Sequence, residues 1–443
     1  SGIGSAIVSG FTGTGTIDGK NDGNILTINS MAGNTGTNAF NFSGDIYQDG
    51  TTSTDLTIIK EGGGEQILSG NVNASDSNNA AASAYLDIQE GTVILKPGSG
   101  KTQKFEYLTG ASSGTRALTL DNSNEATQTI ELGFANTSST QTFSGTVALE
   151  GDNTSNTIKV VSDTAKTSAN YNKEQVISGI VSGSETLIKD GLGRLMLSGA
   201  NTFDGGGTDV IISDGTLVAG HADALGGANT TVRIDKGKLE IGDGSNGAVT
   251  LHSGTTINGS AVGKSMVGGD GTIAALVVGS DTSEVDVISP GRGISSSLSS
   301  TTSQQQVTFG KGGAASSMGD LTVTALSLFD GGVYDWEITN FTGSAGNGFD
   351  ILKFNTLAFD GDSSASFGIN AFSVSSSLPR AGGASNIGVH TGNDGILFLD
   401  GPNHAAITWG HANHTLSSGS WQEANYFTVD SDPYNYYNGG LNG

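Results

Sequence analysis

The chain has 443 residues, of which 70 are glycine, 5 are proline and none is cysteine, and it carries a formal net charge of −24. The glycines follow no three-residue period, which excludes collagen, and the lack of cysteine excludes a small disulfide scaffold. Charged residues make up only 14%, unlike a disordered acidic chain, and the acidic excess argues against nucleic acid and anionic lipid surfaces as partners.

The chain starts at Ser1 without an initiator methionine. That start is expected of a mature product whose signal peptide has been removed, or of a trimmed chain. Apolar residues alternate from the beginning: Ile3, Ala6, Val8, then Phe11, Ile17, Ile25 and Ile28. Such a polar stretch with recurring apolar residues reads as strand-like. The stretch Asp18–Asn24 has the look of a calcium loop. However, Lys20 and Asn29 fall where an EF-hand needs an oxygen ligand and a glutamate, so a plain turn is expected.

An internal repeat follows. Lys60-Glu61-Gly62-Gly63-Gly64 leads into Ile67-Leu68-Ser69-Gly70, and Lys189-Asp190-Gly191-Leu192-Gly193 leads into Met196-Leu197-Ser198-Gly199. A second pattern comes after each copy: Ile88 to Leu95, Ile212 to Ala219, and again Ile234 to Ile241, each with a central glycine at Gly91, Gly215 or Gly237. A strand–glycine–strand corner recurring after about 22 residues is the signature of stacked coils. In such a stack, Leu195, Leu197, Ile212, Leu217, Ile234 and Leu239 are expected to point inward in files, and Gly91, Gly215 and Gly237 to turn corners at positive φ. Between the copies, Ala80–Leu86 is the nearest approach to a helical pattern and reads better as a loop entering a strand.

Residues 291–306, with the polar run Ser295 to Gln306, read as a surface loop or linker between a solenoid over 1–290 and a C-terminal β region over 307–443. Aromatics then become frequent, as in Val333 to Ile338 and Phe349 to Phe354. His404, His411 and His414 match no zinc spacing and read as surface loop. The pairs Asp360/Asp362 and Asp430/Asp432 could offer carboxylates to calcium, but read first as turn residues. No apolar run approaches 18 residues, so no membrane-spanning helix is expected.

Glycosidic cleavage needs an acid–base carboxylate pair, and none sits beside a basic cluster here. No GxSxG elbow or phosphate loop is present either. The chain is therefore expected not to be an enzyme and to need no cofactor, calcium being the one ion its turns could accept.

The Lys189–Gly199 copy continues through Ala200-Asn201-Thr202-Phe203, Gly205-Gly206-Gly207-Thr208, Gly215-Thr216-Leu217-Val218-Ala219-Gly220 and Ala224-Leu225-Gly226. This run resembles the passenger-associated repeat of autotransporters, closely over about 185–355 and by texture elsewhere. The resemblance implies an all-β, right-handed parallel β-solenoid exported to the cell exterior. The chain departs from that family in having no C-terminal stretch long enough for a membrane barrel. A C-terminal β-rich cap is expected instead.

These features give the following expectation of function. The chain is a secreted, extracellular or cell-surface structural protein that associates with itself end to end, into a filament or surface layer. The alternative is a monomeric adhesin, with surface polysaccharide as its partner. Self-contact is assigned to the strand-like start, with Ile3, Val8 and Phe11, and to the aromatic tail, with Tyr426, Phe427, Tyr434, Tyr436 and Tyr437. Tyrosine is a common interface residue because it joins apolar area to a hydroxyl.

Overall fold

The computed structural model describes residues 5–18, 24–47, 55–72, 83–111, 114–124, 128–132, 140–151, 155–161, 174–242, 249–279, 281–291, 319–329, 333–334, 351–359, 386–389 and 395–400. It is all-β apart from one turn of 3-10 helix at Gly36–Asn38. Nearly every strand pairing among the described residues is parallel, consistent with a β-solenoid-like fold. The chain divides into two compact units, Ser1–Arg233 and Ile234–Gly443.

In the first unit the strands visit three faces in rotation. One face is begun by Ser5–Val8, Asn24–Asn29, Asp55–Glu61, Ser83–Ile88 and Leu108–Gly110. It is taken up by Thr140–Phe143, Glu174–Ile177, Arg194–Leu197 and Thr216–Ala219. The second face holds Phe40–Phe42, Glu65–Leu68, Gly91–Leu95, Arg116–Asp121, Thr146–Glu150 and Val181–Gly183. The third includes Gln103–Phe105, Gln128–Leu132, Ser155–Val160, Thr186–Asp190 and Val210–Ile212. Strands within each face are thus bonded to strands one turn of the chain before or after them, and not to their neighbours in sequence.

This register places like residues over like. Val93, Leu118, Val147 and Val181 form one file, and Phe143, Ile177, Leu197 and Ala219 another, all sealed from water. Each buried Val, Leu or Phe contributes about 1.5–3 kcal/mol through the water it sheds. No single turn of chain could gather these side chains alone. Ser83–Ile88 is a strand, as the sequence suggested.

In the second unit Gly237–Ile241, Ser265–Gly269, Val287–Pro290 and Val333–Tyr334 lie in parallel register, with Leu239 over Val267 over Ile288. Thr272–Val278, Asp320–Leu328 and Ile351–Phe359 form a second parallel set, with Ile273, Val323 and Phe354 in one buried file. Gly395–Asp400 then joins Ile351–Phe359 antiparallel, and Asn386–Val389 joins it antiparallel in turn. Strand direction therefore reverses after residue 359. The expected boundary stretch falls mostly on 292–318, outside the described residues. Among the described residues no helix is long and apolar enough to cross a membrane.

All six residues expected inside, Leu195, Leu197, Ile212, Leu217, Ile234 and Leu239, have no exposed surface. All three corner glycines take positive φ: 76° at Gly91, 72° at Gly215 and 126° at Gly237.

Candidate functional site

Two places concentrate chemistry: the corners built by the repeat, and the sheet edge at the start of the chain.

Lys60, next to last in its strand, lies inside an apolar file, between Ile28 and Ile88, and has no exposed surface. Its Nζ donates to the backbone oxygens of Glu61 at 2.8 Å, Gly62 at 2.5 Å and Glu90 at 3.1 Å. Lys189 lies between Ile158 and Ile212, equally sealed, and donates to Asp190 at 2.8 Å, Gly191 at 2.6 Å and Asp214 at 3.0 Å. The two corners are alike atom for atom. The lysine of the first pattern ties its own glycine turn to the turn of the second pattern one coil further on. Gly91 and Gly215 sit directly against the ammonium groups: a Cβ there would lie 2.5 Å from Lys60 Nζ or 2.8 Å from Lys189 Nζ, and would also strike backbone oxygens. The copies occupy different corners of the first unit, so the motif specifies a corner and not a particular face.

Burial lowers the Lys60 ammonium to about 8, with Glu90 pulling it back up. Burial lowers Lys189 to about 7, against the pull of Asp190 and Asp214. A lowered lysine pKa can mark a nucleophile. Here all three protons are engaged and the side chain is sealed, so the group holds structure instead. In the second unit the third copy's Lys238 is also sealed; its Nζ reaches the Gly291 oxygen at 3.0 Å, Ser289 Oγ at 3.5 Å and Glu240 Oε1 at 3.8 Å.

A further repeat accompanies these corners. Glu65-Gln66-Ile67-Leu68-Ser69-Gly70 is echoed by Glu174-Gln175-Val176-Ile177-Ser178-Gly179. Gln66 Nε2 donates to the backbone oxygens of Phe11, Phe40 and Ile67, and its Oε1 accepts Phe11 N. Gln175 does the same with Leu108, Gln141 and Val176. Each buried amide therefore clamps three successive coils. The serine N–H donates to the coil below, Ser69 to Phe42 and Ser178 to Phe143. The glycine stacks where any Cβ would meet the carbonyl of Gly44 or Gly145. The signal was present in the sequence as Glu-Gln-x-x-Ser-Gly, but reading only the lysine–glycine half hid it.

At the start of the chain Ser5–Val8 pairs with Asn24–Asn29 along one side, and among the described residues no strand pairs with its other side. Among the described residues Thr16–Asp18 pairs only with Asp45–Tyr47, and Gly13 bridges only to Phe42. Ile7, which the sequence reading passed over, is 75% exposed at this edge. Val8 is half-buried. Phe11 packs edge-on against Phe42 with ring centres 4.7 Å apart, and Gln66 holds its backbone, so its own chain engages it.

Ile3, Tyr426, Phe427, Tyr434, Tyr436 and Tyr437 lie outside the described residues, as do His404, His411, His414, Asp360, Asp362, Asp430, Asp432 and most of the Asp18–Asn24 loop. Among the described residues no group of three or more His, Cys, Asp or Glu side chains is placed to hold a metal ion. No protein-family model, curated protein or solved structure matches the chain.

Proposed function

We propose that the protein is a non-enzymatic extracellular structural protein, a right-handed β-solenoid that associates with itself end to end. One observation carries this reading: among the described residues no strand pairs with the outer side of Ser5–Val8, and Ile7 is held in the open. An open strand edge offers a row of backbone donors and acceptors to another chain. A contact between two different ends does not close on itself unless the rotation happens to, so it extends into a fibre. Right-handedness rests on the resemblance of the Lys189–Gly226 run to passenger repeats, and export to the cell exterior rests on the same resemblance. Electron microscopy of the purified protein tests the proposal. Filaments or a lattice are expected, and a field of single rods at high concentration would overturn it.

A second reading, an adhesin that binds surface polysaccharide, has one observation in its favour. Tyr85 and Tyr107 sit with ring centres 4.5 Å apart on the outer side of one sheet. Asp87, two residues along the strand, accepts from Thr109 at 3.2 Å and from Gln89 at 2.5 Å. Aromatic faces beside acceptors suit a sugar. Binding to a glycan array that is lost in Tyr107→Ala would move this reading to first place.

A further inference from the structure

We propose a buried site for a monovalent cation at the corner between the second and third faces of the first unit, held by Gln128, Asn156 and Glu185.

Gln128 and Asn156 are register partners on neighbouring strands, and neither has any exposed surface. Their amide orientations are set by their donors. Gln128 Nε2 donates to Gln103 Oε1 at 3.3 Å, while Gln103 spends its own Nε2 on the Leu68 oxygen at 2.8 Å. Asn156 Nδ2 donates to the Glu150 oxygen at 3.4 Å. Turning either amide over would set oxygen against oxygen. The atoms left over are therefore oxygens: Gln128 Oε1 and Asn156 Oδ1 are buried and, among the described residues, have no hydrogen-bond partner. An amide ladder that runs from Gln103 to Gln128 stops where the shorter Asn156 turns away to Glu150.

Glu185 supplies the charge. It is buried, and among the described residues it forms no ion pair and accepts only from Asn122 Nδ2, at 3.4 Å. Asn122 links it to this corner: its Nδ2 donates to the Ser155 oxygen at 2.9 Å, and its backbone N–H shares the Glu150 oxygen with Asn156. A buried carboxylate and two buried orphan acceptors together call for a cation or a donor, since unmatched acceptors in the interior are costly. Carboxylate, amide and carbonyl oxygens are hard ligands. One carboxylate balances one positive charge, which selects sodium or potassium over calcium.

The test compares thermal unfolding in sodium, potassium, calcium and N-methylglucamine chlorides at one ionic strength, for the wild type and Glu185→Gln. A ligand that binds only the folded state raises the midpoint. A rise of about 3 °C or more is expected in sodium or potassium over N-methylglucamine, and it should vanish in Glu185→Gln. Equal midpoints in all salts would overturn the site, as would a rise in calcium alone or an undiminished rise in Glu185→Gln. Should Glu185→Gln not fold, rubidium soaked into wild-type crystals decides: an anomalous peak between Gln128 Oε1 and Asn156 Oδ1 supports the site, and its absence refutes it.

Discussion

Glycine at a corner can be needed for two different reasons, and this chain separates them. Gly206 and Gly215 have almost the same φ, 71° and 72°, but a Cβ on Gly206 would meet nothing within 4 Å. On Gly215 it would strike two carbonyl oxygens and the Lys189 ammonium. Gly206→Ala should therefore cost about 1 kcal/mol, from backbone strain alone. Gly215→Ala should cost about 2 kcal/mol more, as the corner is forced apart; equal urea midpoints for the two variants would contradict this. The positive φ was legible in the sequence, because Asp-Gly between two alternating runs is a turn. The close approach was not, because it depends on which carbonyl the next coil places there. The lysine was hidden for the same reason. In a strand it reads as a surface residue, and only the fold brings Gly191 and Asp214 to one ammonium. Lys189 also sets a pH dependence. Its folded pKa of about 7 lies below the ordinary lysine value of 10.5. Above pH 7 the folded state therefore holds fewer protons than the unfolded one, and this group's contribution rises with pH up to about 10.5. Below pH 7 the cost of burying the charge is fully present. The slope should approach 1.4 kcal/mol per pH unit at most, and Lys189→Met should remove it. Identical slopes for wild type and variant in urea titrations from pH 7 to 10 would refute the assignment.

At the scale of the strand, inward files and buried glutamine clamps divide the work. The files are non-directional: Val93, Leu118, Val147 and Val181 would pack nearly as well if one strand slid by two residues. The clamps are directional. Gln175 binds backbone atoms of Leu108 and Gln141 at once, and this geometry is met in one register only. Gln175→Leu keeps the volume and removes the clamp, leaving the Leu108 N–H without its acceptor. A loss of about 2 kcal/mol is expected, with faster amide exchange at Leu108. Unchanged exchange there would show that the files alone set the register. Alternation made the files readable in the sequence, and all six core residues named from it are sealed. The clamp needed a comparison of Glu65–Gly70 with Glu174–Gly179, a repeat whose copies stand on different faces.

At the scale of the whole molecule the question is what covers the edge of Ser5–Val8. Deleting residues 1–28 is a poor test by itself, because it also removes all but the last residue of Asn24–Asn29 and uncovers Asp55–Glu61, the next strand of the same stack. A substitution that leaves the backbone in place and opposes approach is sharper. Natural proteins guard open strand edges with lysine, which keeps a strand folded but makes edge-to-edge pairing costly. Ile7 points into the open and is not needed by the core. Ile7→Lys should therefore leave the urea midpoint within about 0.5 kcal/mol of wild type. It also brings a positive charge to a chain of net charge −24. That charge would draw acidic surfaces nearer, so the paired variant Ile7→Glu is needed to separate charge from shape. If strand addition at this edge builds the assembly, both variants should shrink the particles seen by light scattering to single chains. If Ile7→Glu disperses them while Ile7→Lys does not, the contact is electrostatic and the edge is incidental. If both assemble like wild type, self-association through this edge is refuted, and the sugar-binding reading centred on Tyr85 and Tyr107 takes its place.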